Sequence, residues 1–171
     1  MPARTKTSTQ QVVLAGSASA SSLSSSSTGT LSNNSSSSVG LGVIAHSDGD
    51  VVLHAVADAV FAAAGAPDIG QQYPDTAQVN RGRDSRDFVA AAAAAAAAAG
   101  YSIAQVDATL LLQYPHISSK KQQMIDSLAE ALGISSSRIS LKAKTAEGVG
   151  PVGRSEAVEC YAVALLQQQS V

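Results

Sequence analysis

The densest run of side chains able to do chemistry is Ala45-His46-Ser47-Asp48-Gly49-Asp50-Val51-Val52-Leu53-His54-Ala55-Val56-Ala57-Asp58, which holds two of the chain's 3 histidines. Here a polar turn becomes a helix: Asp48 or Asp50 can act as N-cap, accepting hydrogen bonds from the first free amides, and Gly49 lets the turn bend. His54 and Asp58 stand one helical turn apart and so share a face. His46 and Ser47 precede the helix, where free amides and the positive end of the helix dipole favour an anion. The pattern predicts a phosphate site beside a metal or acid/base site.

The elements that must carry this site alternate between helices and strands. Pro67 to Thr76 is rich in Pro, Asp and Gly and reads as an ordered loop. Asp84 or Ser85 caps a second helix that runs through the alanines Ala90 to Ala99 to Gly100. Alanine favours helix and has no side-chain function, so this helix is expected to be a cover. Val106–Gln113 has strand composition. Ser118 or Ser119 caps a third helix whose Met124, Ile125, Leu128 and Leu132 form an apolar stripe. Arg138–Lys144 alternates as a strand, Thr145–Gly153 is a glycine-rich loop, and the period of Ala157–Leu166 fits helix and strand equally. A sheet covered by helices on one face, an α+β fold, is the expected architecture.

Residues 1–39 read as a low-complexity, serine-rich segment, and 40–171 as the folded domain. Residues 1–47 hold Arg4 and Lys6 but no Asp or Glu, a transit-peptide composition that points to a plastid-type organelle (apicoplast or chloroplast), with a bacterial cytoplasm as the alternative. Within the segment, Gln11–Gly16 can form a short strand, which would make the serine tract a loop between ordered pieces. A formal charge of −2 and 4% aromatic residues give no nucleic-acid footprint. No apolar run approaches the roughly 20 residues that span a bilayer, so no membrane partner is expected. The single cysteine, Cys160, leaves no internal disulfide.

The string His46-Ser47-Asp48-Gly49-Asp50 with His54 resembles the 2-C-methyl-D-erythritol 2,4-cyclodiphosphate synthase family. So do Asp68-Ile69-Gly70, Tyr73-Pro74-Asp75-Thr76, Asp84-Ser85-Arg86, and Lys142 to Glu147 followed by Gly153-Arg154-x-Glu156, all in the family's order. The resemblance implies a homotrimer whose subunits each pack helices on one side of a four-stranded mixed sheet, with active sites at subunit interfaces. It also implies a lyase of non-mevalonate isoprenoid biosynthesis that converts 4-diphosphocytidyl-2-C-methyl-D-erythritol 2-phosphate to the 2,4-cyclodiphosphate and CMP. Zinc and a magnesium or manganese ion are implied with it.

Residue by residue, the resemblance makes His54 a metal ligand and His46 and Thr145 transition-state stabilisers. It makes Ser47, Asp68, Ile69, Gly70, Tyr73, Pro74, Asp75, Thr76, Lys144, Ala146, Glu147 and Arg154 contacts of the cytidine diphosphate substrate. The chain departs from the family at the other two zinc ligands, an Asp-x-His on the first strand: no such triplet occurs here. His116 also replaces the usual lysine of a Pro-Lys stretch, and Tyr114 replaces a small residue. The missing triplet implies impaired turnover of this chain. It fits three situations: an enzyme whose first exon lies outside the sequence, a divergent cyclase with ligands from elsewhere, or a non-catalytic member acting as trimer partner or nucleotide-binding module.

Overall fold

The computed structural model of the chain describes residues 5–15, as backbone, together with residues 50–74, 76–80 and 82–169. Expectations that fall on His46, Ser47, Asp48, Asp75 and the serine tract lie outside the described residues.

The fold centres on α1, Val51–Ala64. Its sequence is apolar nearly all round, and such a helix must be covered on every side. Val51, Val52, Leu53, Ala55, Val56, Ala57, Ala59, Val60, Phe61 and Ala63 are all buried. Of the two candidate caps, Asp50 is the one described: its carboxylate accepts from Val52 N and Leu53 N, each at 3.0 Å. Gly65 ends the helix at φ +81°, a left-handed conformation that L side chains resist.

α2 (Ile69–Gln72) is a single turn inside the expected loop, and α3 (Ser85–Ala98) is the alanine helix, capped by Asp84. β2 spans Tyr101–Leu111, starting earlier than its hydrophobic run suggested, and α4 spans Lys121–Leu132. The cap of α4 differs from expectation. Lys120 occupies the N-cap with no side-chain hydrogen bond, because an ammonium has no acceptor for the free amides; Ser118 and Ser119 lie instead in the turn closed by Lys120 N donating to Ile117 O. β3 is Ile139–Lys144, α5 is Gly150–Gly153 and β4 is Ala157–Gln168, which settles the ambiguous last segment as strand.

With β1 (Thr5–Ala15), the sheet has the order β1-β4-β2-β3. β4 pairs antiparallel with both β1 and β2, and β2 runs parallel to β3. β1 is longer than the strand expected over 11–16 and lies within the segment read as low complexity. Its backbone follows β4 from Thr5↔Gln167 to Ala15↔Ala157, so partner pairing fixes it where composition alone did not.

One face of the sheet presents Ile103, Val106, Ala108 and Leu110 of β2, Ile139 and Leu141 of β3, and Cys160, Ala162, Ala164 and Leu166 of β4 to the helices, all buried. A register shift between Ile103 and Gln105 keeps Ile103 and Val106 on the same side despite their odd spacing. α1 lies on β4, β1 and β2, α3 packs on α1, and α4 packs on β3. The small Ala162 and Ala164 let α1 approach β4 closely. Burial pushes the Cys160 thiol up to about 12, with the nearby Asp50 carboxylate adding to the shift, so Cys160 acts as a small core residue.

Candidate functional site

His54 and Asp58 are the polar interruptions in buried α1, and the site is built outward from them. His54 Nε2 lies 2.9 Å from Ser85 Oγ, and Ser85 is fully buried at the first turn of α3. The Phe88 ring, one turn further along α3, meets the imidazole edge-on at 5.3 Å and 85°. Phe88 also touches Tyr73, with centroids 4.9 Å apart, and the Arg83 guanidinium sits 5.0 Å over the other ring. The alanine helix is therefore more than a cover, since its first two turns fix the imidazole plane. Sequence reasoning missed Ser85 and Phe88 as supports; the signal was the Asp84 cap, which places both residues on the turn nearest α1.

Asp58 Oδ1 accepts from Ile69 N at 2.9 Å, tying α1 to the Asp68-Ile69-Gly70 turn. Burial raises the Asp58 carboxyl above its ordinary value; the Ile69 amide lowers it, Asp68 raises it further and His54 draws it down. Asp68 caps α2 by accepting from Gln71 N at 2.8 Å and stays exposed, while Ile69 is buried. Pro74 O accepts from Ala77 N at 3.0 Å and from Asn80 Nδ2 at 3.1 Å, which folds the following loop back on itself. His54, Asp68, Ile69, Gly70, Tyr73 and Pro74 thus belong to one contiguous group.

A second group stands at the carboxyl ends of the parallel pair β2 and β3, the usual place for ligands on such strands. Leu112 N donates to Lys144 O at 3.0 Å, extending the pairing to the rim. Beyond it Thr145 Oγ1 donates to Glu147 Oε1 at 2.7 Å, and the chain turns through Glu147 at φ +50° and Gly148 at φ +78°. Ala146 lies between them. Arg154 forms a two-pronged pair with Glu156, Nε to Oε1 and Nη2 to Oε2, both at 2.9 Å. That pairing holds the exposed Glu156 carboxyl below its ordinary value.

A cavity of about 470 Å³ lies between the N-terminal turns of α1 and α3 and the side of α4, and Arg86 Nη2 donates to Ser127 Oγ across it at 2.9 Å. None of the residues assigned to substrate by resemblance lines it. Among the described residues, no three His, Cys, Asp or Glu side chains gather to hold a metal ion, and no helix is long and apolar enough to cross a membrane.

Comparison with known proteins adds independent weight. The model of the YgbB family matches residues 33–167. The chain is 49% identical over 126 residues, 74% of its length and 76% of the relative's, to the 2-C-methyl-D-erythritol 2,4-cyclodiphosphate synthase of Rhodopirellula baltica. It is 43% identical over 128 residues, 75% of its length and 58% of the relative's, to the chloroplastic synthase of Oryza sativa. A solved 2C-methyl-D-erythritol-2,4-cyclodiphosphate synthase in its CDP-bound form matches the fold with a TM-score of 0.73 at 29% identity, over 94% of this chain and 99% of that one.

Proposed function

Because the chain belongs to the YgbB family, whose relatives are 2-C-methyl-D-erythritol 2,4-cyclodiphosphate synthases, we propose that its two residue groups divide the substrate of that reaction between them. The reaction is an intramolecular phosphoryl transfer in isoprenoid biosynthesis by the non-mevalonate route. An oxygen of the 2-phosphate forms a bond to the β-phosphorus, the bond from that phosphorus to the bridging oxygen breaks, and CMP leaves with the electron pair. Such a transfer asks the protein for position and for charge stabilisation.

The group on α1, α2 and the following loop holds the methylerythritol end: the Asp68 carboxylate and the Gly70 backbone suit sugar hydroxyls, and Tyr73, Pro74 and Thr76 belong to the same loop, where the resemblance also assigns Asp75 a contact. The β3 rim holds the nucleotide end. There Lys144, Ala146, Glu147 and Arg154 line the cytidine diphosphate, and Thr145 turns its hydroxyl proton from Glu147 to the phosphates; His46 and Ser47 are assigned to the phosphates by resemblance. The observation that carries this division is that Asp58 and Phe88 fasten the sugar loop to α1 beside His54, while Thr145 and Glu147 form their own turn at the strand ends.

A zinc site needs three protein donors and one open position. Among the described residues His54 is the one candidate, and its Nε2 shares a hydrogen bond with Ser85; β1 contains no Asp, Glu, His or Cys. These donors do not fit the zinc of the resemblance, nor do they mark a site for magnesium or manganese. Loss of a metal's charge stabilisation, worth several kcal/mol, slows transfer by about a hundredfold or more. The purified chain should therefore carry well under one zinc per subunit and release CMP at least about a hundredfold more slowly than the Rhodopirellula baltica synthase assayed beside it. Full zinc occupancy with matching turnover would sink the claim of impairment. The same missing donors favour one other reading, a non-catalytic partner that binds CDP and releases no CMP at all.

The sheet face away from the helices supports the homotrimer. Leu111 on β2 and Tyr161, Val163 and Leu165 on β4 are only partly covered there, and the Asp107 carboxylate, paired with Lys142 at 2.6 Å, keeps a buried Oδ1 without a partner among the described residues. Light scattering should give a mass three times the 17.2 kDa of one chain; a monomer at micromolar concentration would count against the interface sites as well. Bacterial and chloroplastic relatives both match the chain, and β1 pairs into the sheet, so the transit-like composition of residues 1–47 does not by itself decide between a plastid-type organelle and a bacterial cytoplasm.

A further inference from the structure

We propose that Asp58 is a positioning residue for the sugar end of the substrate, acting through the backbone of Ile69. The inference rests on the reading of Asp68-Ile69-Gly70 as the sugar-binding turn. α2 has four residues, too few to hold their own conformation, so its placement depends on anchors outside it. Two are present: the buried Ile69 side chain, and the hydrogen bond from Ile69 N to Asp58 Oδ1 at 2.9 Å. Asp68 is the N-cap and accepts from Gln71 N; an N-cap side chain reaches the amides two or three residues on rather than its immediate neighbour's, so the Ile69 amide is left to an acceptor outside the turn. Asp58 takes that amide from behind, from a helix buried on nearly every side. The rigid α1 that carries His54 thereby sets how far the Asp68 carboxylate and the Gly70 amide stand from the imidazole. Charge contributes as well, because the Asp58 and Asp68 carboxylates lie close enough to repel across the amide they bracket.

Deleting the acceptor and replacing it isosterically give different results under this proposal. Asp58→Ala removes it, whereas Asp58→Asn keeps an oxygen in place and loses only the charge. Affinity is read by calorimetry for 4-diphosphocytidyl-2-C-methyl-D-erythritol 2-phosphate and, separately, for CDP, which lacks the sugar end. Asp58→Ala should weaken the whole substrate about thirtyfold, the usual scale for a hydrogen bond to a charged group, and leave CDP within about twofold. Asp58→Asn should restore the substrate to within about threefold of the parent. Exchange of the Ile69 amide with solvent should accelerate in the alanine variant and stay slow in the asparagine one. Equal weakening of both ligands, or an asparagine variant as weak as alanine, would overturn the proposal. A parent chain that binds neither ligand would instead overturn the functional reading on which it rests.

Discussion

Gly153→Ala is expected to cut CMP release by about a hundredfold while most of the fold stays intact. At Gly153 a Cβ would lie 2.8 Å from Gly148 Cα and 3.0 Å from Gly148 O, and closer still to the Gly148 carbonyl carbon. These are backbone atoms, so no side chain can swing aside to make room. The two glycines meet because the segment turns back sharply, with Gly148 at φ +78° and Gly150 at φ +68°, before Gly153 N donates to Val149 O at 3.1 Å. A methyl group there must open the turn, and Thr145 and Glu147 stand at its stem, held by the 2.7 Å bond between them. Displacing phosphate-positioning groups by an ångström costs about a hundredfold in rate. The damage stays local because the turn is largely exposed and only Val152 of α5 is buried. The check is CMP release and CDP affinity beside a melting curve: a variant that turns over within twofold of the parent would show that the turn does not position the phosphates.

That turn also marks how far the sequence alone could be read. Its glycines were visible as a loop and Thr145 was marked by resemblance alone, but the backbone contact between Gly148 and Gly153 is a tertiary fact with no local signature. α1 was legible because an Asp48 or Asp50 cap opens a continuous apolar run, and α3 because Asp84 and Gly100 bracket the alanines. β4 was not, since Val163 and Leu165 are apolar on the uncovered face and blur the two-residue period of Cys160, Ala162, Ala164 and Leu166. β1 was legible only over its apolar end, because the Thr, Lys, Ser and Gln that precede it pair through backbone and leave no hydrophobic pattern. The substrate contacts came from resemblance, whereas their supports Ser85, Phe88 and Asp58 are ordinary residue types whose role depends on what they touch.

Phe88 is the support whose removal should cost the most stability. It is 3% exposed, and its ring is wedged between the imidazole of His54 and the ring of Tyr73, so nothing nearby can collapse into its space without moving one or the other. Truncating a buried phenylalanine to alanine costs about 3–5 kcal/mol. The two ring contacts add about 0.5–1.5 kcal/mol each beyond the area they bury. Against a net stability of about 5–15 kcal/mol, Phe88→Ala should lower the melting midpoint by about 10 °C or more. Phe88→Leu refills much of the volume without a ring and should recover about half of that shift. Substrate affinity should separate the two causes. Leucine restores packing but gives His54 no edge-on partner and Tyr73 no face to lean on, so affinity for the sugar end should stay low in both variants while CDP affinity holds. A leucine variant that regains full substrate affinity would show that volume alone suffices and that the ring geometry between His54 and Tyr73 is incidental. The double loss is expected because this face of α3 serves two purposes at once: the side chain that seals the core over α1 is also the wall against which the imidazole of His54 and the ring of Tyr73 are set.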